Sequence, residues 1–595
     1  MQQDLSIYEM NFEIQFIENS RSYYKAHCAL WREASVPEYL LKCEQAIRAE
    51  KERVGHYLSR STEEKLLLCV EQELLSNPQI EIVQRTNSGM YALLVDAKFE
   101  KPWSDMTAGE REHSKSAHLR RMFQLFTRKG VKLKEGPMTE VFEQFVKDSG
   151  RKLVAERKDE VAREVASEKK KEDTKKTSMI ICMIDLYLRC EALVKELFNN
   201  TLSFQKAMKE AFQVFVNENA SENYTNVEML VEYSDMVMKG KEGKEKLHDT
   251  AIQQRIEGLM RIFSFLADKD IFIECYRASL SKRLLSSKMS NEDMEKELLT
   301  KLKAEQGPPF TSKVEGMLKD FAMCKNNTDE FTKILSERQD GGNWQTSNGP
   351  IPAKPLEFGA NVQVLTDGFW PTQTVINVQP RGPFATIVQQ YEAFYHEKHK
   401  GKKRLNWRFA LGSAQLRGIF PKGNYQIRCV TLQAMALLLL SDKSESLSTS
   451  DIAQEMGSTI DVIKRVLHSL SCGKYKVLLK TPSSKTVSED DKFEANEKFY
   501  SKVRNFEIVM ASLNNLKQGA KEKAKEDRSY AIDAALVRTM KARKRMAHKD
   551  LISEVLRQLQ TFTPESKYVK KRIESLIERE YIRRVDETKE YEYLA

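Results

Sequence analysis

A basic run near the C-terminus is the first feature of this 595-residue sequence that could support chemistry. Between Arg538 and Lys549 it contains six lysine or arginine residues and no acidic residue. Such a run can bind the phosphates of a nucleic acid, or it can be an ordinary solvated helix face. The third alternative is a site where the amine of one particular lysine is used.

The residues around this run predict an amphipathic helix over residues 531–546. Ile532, Leu536 and Met540 share one side of that helix, whereas Lys541 lies about 180° from Ile532 at about 100° per residue. We therefore expect Lys541 to be carried on a packed helix with its amine in solvent. The pattern alone favours an ordinary solvated face over a specific use of Lys541.

This helix belongs to the second of two predicted winged-helix modules, over residues 425–510 and 529–595. The third helix of the second module is predicted to open with Thr563 as its cap and Pro564 at its first position. In winged helices this element often enters the DNA major groove. Its first half is basic here, but its second half is acidic, which disfavours a phosphate-binding face. A winged-helix DNA-binding protein remains the alternative function.

The rest of the chain predicts a mainly helical protein of several domains. Before residue 300, apolar residues recur at three- and four-residue steps and only four prolines occur, which indicates packed helices. From about residue 340, the segments "NVQVLTDGFWP", "NWRFALGSAQLRGIF" and "YQIRCV" predict strands. Residues 511–528 are polar and charged without an apolar period, which predicts a linker.

The composition disfavours several classes of protein. The net charge of +10 is a mild excess that permits an acidic partner without requiring nucleic acid. The longest apolar run, residues 434–440, is too short to span a membrane, and the N-terminus lacks the apolar stretch of a signal peptide. The nine cysteines form no C-x-x-C pair, so we expect reduced thiols in the cytoplasm and nucleus, and neither a metal nor a cofactor.

An enzyme that uses its own cysteine thioester is a further possibility. Cys429 lies in a predicted apolar strand and Cys472 lies beside a glycine, and no acid–base pair is near either one in the sequence. Placement in a core or in an unreactive surface is therefore favoured for both.

Several motifs of the chain closely resemble the cullin family. At the C-terminus these are "IDAALVRTMKARKRMAHKDLISEVLRQL", "VKKRIESLIEREYIRRV" and the terminal "YEYLA". Upstream, "ADKDIFIECYRASLSKRLL", "VLTDGFWP", "YEAFYHEKHKGKKRLNW" and "YQIRCVTLQAMALLLL" resemble the cullin-homology region in the family's order. The helical segments near the N-terminus resemble the second repeat of the stalk in the cullin group that serves F-box-type ligases.

The resemblance implies a mainly α fold: a helical cullin-repeat stalk, a four-helix bundle, an α/β sheet module and two winged-helix modules. The expected domains are the stalk at 1–235, the bundle at 236–340, the α/β module at 341–424, the first winged-helix-like module at 425–510, the linker at 511–528 and the C-terminal module at 529–595.

The implied function is that of a non-catalytic scaffold in a ubiquitin ligase complex. Cullins hold a RING-box subunit, which recruits a ubiquitin-conjugating enzyme, and a ubiquitin-like modifier is attached to one lysine of the last module (neddylation). The motif "VRTMKARK" places this isopeptide acceptor at Lys541. Cullin-exchange and deneddylating factors are further expected partners, whereas nucleic acid and membranes are not.

One departure from the family concerns the stalk. Cullin stalks have three helical repeats, and the first of them binds the adaptor that carries the substrate receptor. This chain resembles the family only from the start of the second repeat. We therefore expect the RING subunit and the modification to be retained and the usual adaptor binding to be lost.

Overall fold

The computed structural model describes residues 7–97, 100–101, 103–166, 174–219, 225–242, 245–246, 248–286, 292–338, 342–346, 349–354, 356–371, 375–442, 445–510, 516–559, 561–562, 564–585 and 590–594. The protein is mainly helical, as the sequence predicts, and its sheets are small. No helix among these residues combines the length and the apolarity needed to cross a membrane.

The chain divides into two compact units, and the first comprises residues 1–269 with residues 561–563. Its helices form because apolar side chains recur on one face of each segment and are buried against neighbouring helices. In the second helix, for example, Leu40, Cys43, Ile47 and Val54 are buried at three- to seven-residue steps. The helices are Ile14–Trp31 (α1), Val36–Tyr57 (α2), Arg60–Glu71 (α3), Gln79–Gln84 (α4), Met90–Ala97 (α5), Ala108–His113 (α6), Lys115–Phe126 (α7), Gly136–Ala166 (α8), Thr174–Glu196 (α9), Leu202–Val216 (α10), Asn226–Met238 (α11) and Asp249–Phe265 (α12).

Short elements complete the first unit. Two π-helical turns and one 3₁₀ turn lie between or before the α-helices, and two short strands pair antiparallel after α11. These elements are Glu9–Glu13, Gln72–Ser76, Trp103–Asp105, Lys241–Glu242 (β1) and Glu245–Lys246 (β2).

The second unit comprises residues 270–560 and 564–595. It starts with a helical bundle and continues into an α/β region and two winged-helix modules. Its helices are Lys269–Leu285 (α13), Glu292–Gln306 (α14), Pro308–Glu337 (α15), Pro383–Lys398 (α16), Thr431–Ser441 (α17), Thr449–Met456 (α18), Ile460–Ser471 (α19), Leu516–Arg543 (α20), His548–Gln558 (α21) and Ser566–Glu578 (α22).

The strands of the second unit form four small sheets. The strands are Asn343–Thr346 (β3), Gly349–Pro352 (β4), Ser413–Phe420 (β5), Gly423–Val430 (β6), Leu447–Ser448 (β7), Leu478–Thr481 (β8), Lys492–Ala495 (β9), Asn505–Glu507 (β10), Arg545–Ala547 (β11), Ile582–Val585 (β12) and Glu590–Tyr593 (β13). Their spatial orders are β3-β4, β10-β6-β5, β7-β9-β8 and β11-β13-β12.

The first winged-helix module agrees closely with the prediction. Strand β6 leads into α17, and α18 begins after Ser448, whose side chain accepts a hydrogen bond from the backbone of Asp451 in a capping box. Helix α18 ends at Gly457, which has a φ of 61°. This is the left-handed conformation that glycine adopts without steric cost at a helix C-terminus.

Two predicted boundaries differ from the structure. Residues 516–528, predicted to be linker, form the first half of α20, while residues 511–515 of that linker lie outside the described residues. This half is helical because Ala520 and Ala524 are buried and Arg528 pairs with Asp270 on α13, with Nη2 2.6 Å from Oδ1. The boundary at 424/425 falls inside β6 and divides most of it from β5, although the two strands pair antiparallel along their whole length.

Three local predictions are also wrong. Residues 361–371 contain no strand, and the helix predicted to reach residue 546 ends at Arg543. The last helix begins at Ser566, so Pro564 is not its first residue, and the predicted cap Thr563 lies outside the described residues. In the first two cases a partner distant in the sequence sets the local structure, as the following section describes.

Candidate modification site

Lys541 lies in the last turn of α20, on the side that faces solvent. Ile532, Leu536 and Met540 on the opposite side are each 0% exposed. Each of these side chains contributes roughly 2 kcal/mol of burial free energy to holding the helix in place. The predicted orientation of Lys541 is therefore confirmed.

Two further helices and a sheet hold this part of α20. Leu551 and Val555 of α21 and Val569, Ile573 and Leu576 of α22 are buried, and both helices pack against α20. One polar contact joins α20 to α21. There the amide of Gln558 donates to the Thr539 hydroxyl at 3.1 Å, and this hydroxyl donates to the Ala535 carbonyl at 2.8 Å.

A buried carboxylate ties α20 to α22. Asp533 is 9% exposed and accepts hydrogen bonds from Arg572 Nε at 2.8 Å and from Arg579 Nη2 at 2.6 Å. Burial alone would raise the pKa of Asp533, but the hydrogen bonds and charges of the two arginines hold it below its ordinary value. We call Asp533, Arg572 and Arg579 the Asp533 clamp.

The sequence does not reveal this clamp because its members are far apart in the chain. The only signal is Asp533 itself, an acidic residue at the border of an otherwise apolar helix face. An acid in that position requires a cationic partner, since an unpaired buried charge is costly. The pattern does not say which arginine provides it.

The helix stops at Arg543, two residues after Lys541, because β13 captures the chain that follows. Lys544 has a φ of 64°, and its backbone N–H donates to the Met540 carbonyl at 2.8 Å. The Lys544 carbonyl accepts from the Tyr593 N–H at 2.9 Å, and its Nζ lies 5.1 Å from the Tyr593 ring centroid. Lys544 is thus engaged in a cation–π contact.

The basic run is less uniform than its sequence indicates. Arg545 lies in β11 and donates to Glu592 with Nε 3.0 Å from Oε1, and Arg583 donates to the other carboxylate oxygen at 2.7 Å. Within the described ranges, Lys541 forms no ion pair with any acidic side chain. Among the lysines of the run, Lys541 therefore combines an exposed amine with a rigidly packed helix turn.

This arrangement suits a lysine that acts as a nucleophile. A fixed helix turn presents the amine in one direction, which raises its effective concentration toward an incoming electrophile. The amine has to be deprotonated when it attacks, and an arginine at the same position would stay protonated.

A second candidate surface lies in the α/β region. Residues 361–365 run along α15, and Val362 and Val364 pack against the aromatic cluster around Phe331, Trp344 and Tyr391. Within the described residues, no backbone-to-backbone hydrogen bond involves residues 361–365. The segment predicted to be a strand thus packs on the core as a strand would, but it has no ladder partner within the described residues.

The turn after this segment is pinned to α15 by one carboxylate. Asp320 accepts hydrogen bonds from the Thr366 N–H at 2.7 Å, from the Thr366 hydroxyl at 2.9 Å and from Trp370 Nε1 at 2.9 Å. Phe369 lies against Gly316, where a Cβ atom would come within 2.5 Å of the ring. The "VLTDGFWP" motif is therefore ordered by α15 and not by a sheet.

The cysteine alternative finds no support in the geometry. Cys429 is 4% exposed in β6, and burial raises the pKa of its thiol to about 12, so the nucleophilic thiolate is suppressed. Cys472 is half-buried and its thiol lies 3.7 Å from the Ser484 carbonyl. All nine cysteines are free thiols.

The DNA-binding alternative is also weakened. Arg572 of the predicted recognition helix is occupied in the Asp533 clamp. In the first winged-helix module, Lys464 of α19 pairs with Glu489 at 3.0 Å. Cations that are already paired contribute less to counterion release on DNA.

Comparison with known families decides between these readings. A family model described as "Cullin alpha solenoid domain" matches residues 1–328, more than half of the chain. Models described as "Cullin alpha+beta domain" and "Cullin protein neddylation domain" match residues 364–499 and 527–588. The chain belongs to the cullin family.

Individual cullins are similar over nearly the whole chain. Cullin-2 of Arabidopsis thaliana is 35% identical over 597 residues, which cover 100% of this chain and 75% of that protein. Cullin-1 of Oryza sativa is 35% identical over 93% of this chain and 70% of its own length. Human Cullin-4A is 31% identical over 100% of this chain and 71% of its own length.

The family assignment makes the chain a scaffold protein of ubiquitin ligases and not a catalyst. The matched neddylation domain contains the whole of the C-terminal half of α20, with Lys541 in it. The same domain contains the Asp533 clamp, which the motif comparison did not single out.

Proposed function

We propose that this cullin is the scaffold of a cullin-RING ubiquitin ligase and that neddylation of Lys541 activates it. The observation that carries the proposal is an exposed, unpaired amine on a packed helix turn inside the matched neddylation domain. The RING subunit recruits a ubiquitin-conjugating enzyme, and cullin-exchange and deneddylating factors act on the same complex. The scaffold accelerates transfer by raising the local concentration of a thioester near the substrate.

In the modification step, the deprotonated Lys541 amine attacks the thioester carbonyl of the modifier on its conjugating enzyme. An isopeptide C–N bond forms and the C–S bond breaks. The enzyme's cysteine leaves as a thiolate, and the proton that the amine loses is available to that thiolate.

The acceptor is tested with Lys541→Arg, which keeps the charge and the helix propensity but removes the nucleophile. The full chain with its RING subunit is incubated with the conjugating machinery, and the slower-migrating modified band is followed over time. We expect the variant to retain its RING subunit and to lose most of this band. Ubiquitin chains should then form more slowly.

Lys544→Arg is the matched control. Because Lys544 is engaged with Tyr593, we expect its replacement to leave the modified band at the wild-type level. An unchanged rate and extent of modification in Lys541→Arg would show that another lysine is the acceptor.

We further propose that the RING subunit binds within residues 341–510 by adding a strand to the chain. Residues 361–365 support this, since they pack like a strand and make no backbone-to-backbone hydrogen bond within the described residues, although the Val364 carbonyl accepts from the Cys324 thiol at 3.6 Å. An added strand would form main-chain hydrogen bonds with the backbone N–H and carbonyl groups of residues 361–365. Val362 and Val364 are already packed on the core.

Gln363→Pro tests this surface in the full chain co-expressed with a RING subunit. Proline removes one N–H and favours an extended preceding residue, so the free chain should fold normally while the intermolecular ladder loses a hydrogen bond. We expect the complex to separate on sizing at micromolar concentration, and Gln363→Ala to leave it intact. Equal retention of the RING subunit by both variants would refute binding along residues 361–365.

A further inference from the structure

The face of α20 that carries Lys541 also carries an exposed aromatic residue. Tyr530 is 62% exposed and precedes Lys541 by eleven residues. At 100° and 1.5 Å per residue, the two side chains lie within about 20° of each other around the helix and about 16 Å apart along it. Ala534, which is small and exposed, lies between them.

A second exposed tyrosine borders this face from α22. Tyr568 is 37% exposed and precedes Arg572 of the Asp533 clamp by one helical turn. The pKa of Arg572 is raised mainly by its hydrogen bonds to Asp533, and smaller effects come from the phenol groups of Tyr568 and Tyr530. Tyr530 precedes Asp533 by three residues and Tyr568 precedes Arg572 by four, so the hydrogen bond between Arg572 and Asp533 brings the two rings to one end of the face.

The charge of this face is positive beyond Lys541. Arg538 is exposed on the same side of α20 and forms no ion pair with an acidic residue in the described part of the chain. Among the described residues, the Tyr530 hydroxyl forms one weak hydrogen bond, 3.4 Å from the Glu526 carboxylate of its own helix. We call Tyr530, Ala534, Arg538, Lys541 and Tyr568 the acceptor face.

The acceptor face combines two apolar rings, a small residue that permits close approach and unpaired cations. The two rings are not part of the module's core, because the buried apolar side chains of α20 lie on the opposite side of the helix. Exposed tyrosines beside arginine are typical of protein-interface anchors. An acidic partner surface that carries an apolar residue is complementary to this arrangement.

We propose that Tyr530 and Tyr568 are positioning residues that dock the modifier-conjugating enzyme while it delivers the modifier to Lys541. This inference rests on the proposed function of Lys541. The occupant follows from continuity with the acceptor, because an enzyme that brings a thioester to the Lys541 amine extends over the surface around it. The face reaches only about 16 Å from that amine, well within the footprint of a small protein domain.

The test is a single-turnover transfer assay. The conjugating enzyme is charged with fluorescent ubiquitin-like modifier, free charging enzyme is quenched, and the full chain with its RING subunit is added at increasing concentration. For the Tyr530→Ala/Tyr568→Ala variant we expect the half-saturating concentration to rise about tenfold, with a maximal rate within about twofold of wild type. This pattern reports loss of docking and not loss of the nucleophile.

Three companion variants separate docking from folding. Tyr530→Phe/Tyr568→Phe retains both rings and should stay within about twofold of the wild-type half-saturating concentration. Arg538→Glu reverses a charge without breaking an ion pair and should raise the half-saturating concentration most strongly at low salt. Tyr57→Ala, which removes the 82% exposed tyrosine of α2, should have no effect.

An unchanged half-saturating concentration in Tyr530→Ala/Tyr568→Ala would overturn the inference, whether or not the maximal rate falls. A different result would refute the proposed function, namely modification of Lys541→Arg at the wild-type rate in the same assay. The two failures are therefore distinguishable. A Phe variant as weak as the Ala variant would assign the effect to the hydroxyl groups and would also overturn docking through the rings.

Discussion

Replacement of Asp533 by asparagine should loosen the C-terminal module by a predictable amount. The substitution keeps the shape of the side chain but removes the charge that Arg572 and Arg579 share. Hydrogen bonds to a charged partner contribute about 1.5–3 kcal/mol each, and breaking a fully buried ion pair costs about 3–5 kcal/mol.

The partial exposure of the two arginines reduces this free-energy cost. The Arg572 and Arg579 side chains are 21% and 46% exposed, so water can solvate both guanidinium groups once the carboxylate is lost. We therefore expect Asp533→Asn to lower the free energy of opening of α22 by about 2 kcal/mol.

Native-state hydrogen exchange of the full chain, read on peptides that cover α22, measures this opening. A loss of about 2 kcal/mol corresponds to exchange that is about 30-fold faster. Asp527→Asn is the matched control in the same helix. Asp527 is 51% exposed and 3.9 Å from Lys313, so this change should cost less than about 0.5 kcal/mol.

The effect should also depend on pH. Because the folded-state pKa of Asp533 lies below its ordinary value of 3.8, its contribution is complete above that value and is lost as the pH falls through the folded-state pKa. The difference between wild type and Asp533→Asn should therefore be constant near neutral pH and should disappear in acid below 3.8. Equal exchange in Asp533→Asn and Asp527→Asn at neutral pH would refute a role for the clamp.

Two further substitutions test polar contacts elsewhere in the second unit. Asp320→Ala removes three hydrogen bonds, two to Thr366 and one to Trp370, and should lower the protection of the hydrogen-bonded amides of Thr366, Phe369 and Trp370 against exchange by about 2 kcal/mol; wild-type protection of these amides in Asp320→Ala would contradict this. Lys480→Met leaves Asp491, only 6% exposed, without its cation and should destabilise the first winged-helix module by about 3 kcal/mol, which denaturant unfolding of the full chain would measure. An unchanged midpoint would show that the ion pair contributes nothing to folding.

The orientation of Lys541 could be predicted because it depends on one helix. Ile532, Leu536 and Met540 repeat with the helical period, and the period alone places Lys541 opposite them. The first winged-helix module was predictable for a similar reason, since Ser448 and Gly457 mark the two ends of α18. The cullin motifs were likewise readable in short segments, and the family matches confirm them.

The errors arose where a distant segment controls local structure. The basic run was expected to stay helical to residue 546, but β13 draws Arg545 into a ladder with Glu592. A helix that continued to residue 546 would place Lys544 about 60° from Lys541, whereas Lys544 is bound to Tyr593 outside that helix. Residues 516–528 have no continuous apolar stripe, and their packed partners on α13 and α15 cannot be read from that segment.

The sequence by itself thus determined the helices, their apolar faces, the family and the side of α20 on which Lys541 lies. These features depend on residues a few positions apart, within the range of helical periodicity and capping. Only the tertiary structure decided that Asp533 is held by Arg572 and Arg579, and that residues 361–365 pack with no ladder partner among the described residues. Ion pairs and strand pairing join residues tens of positions apart, and local pattern carries no information about which of many possible partners the folded chain brings together.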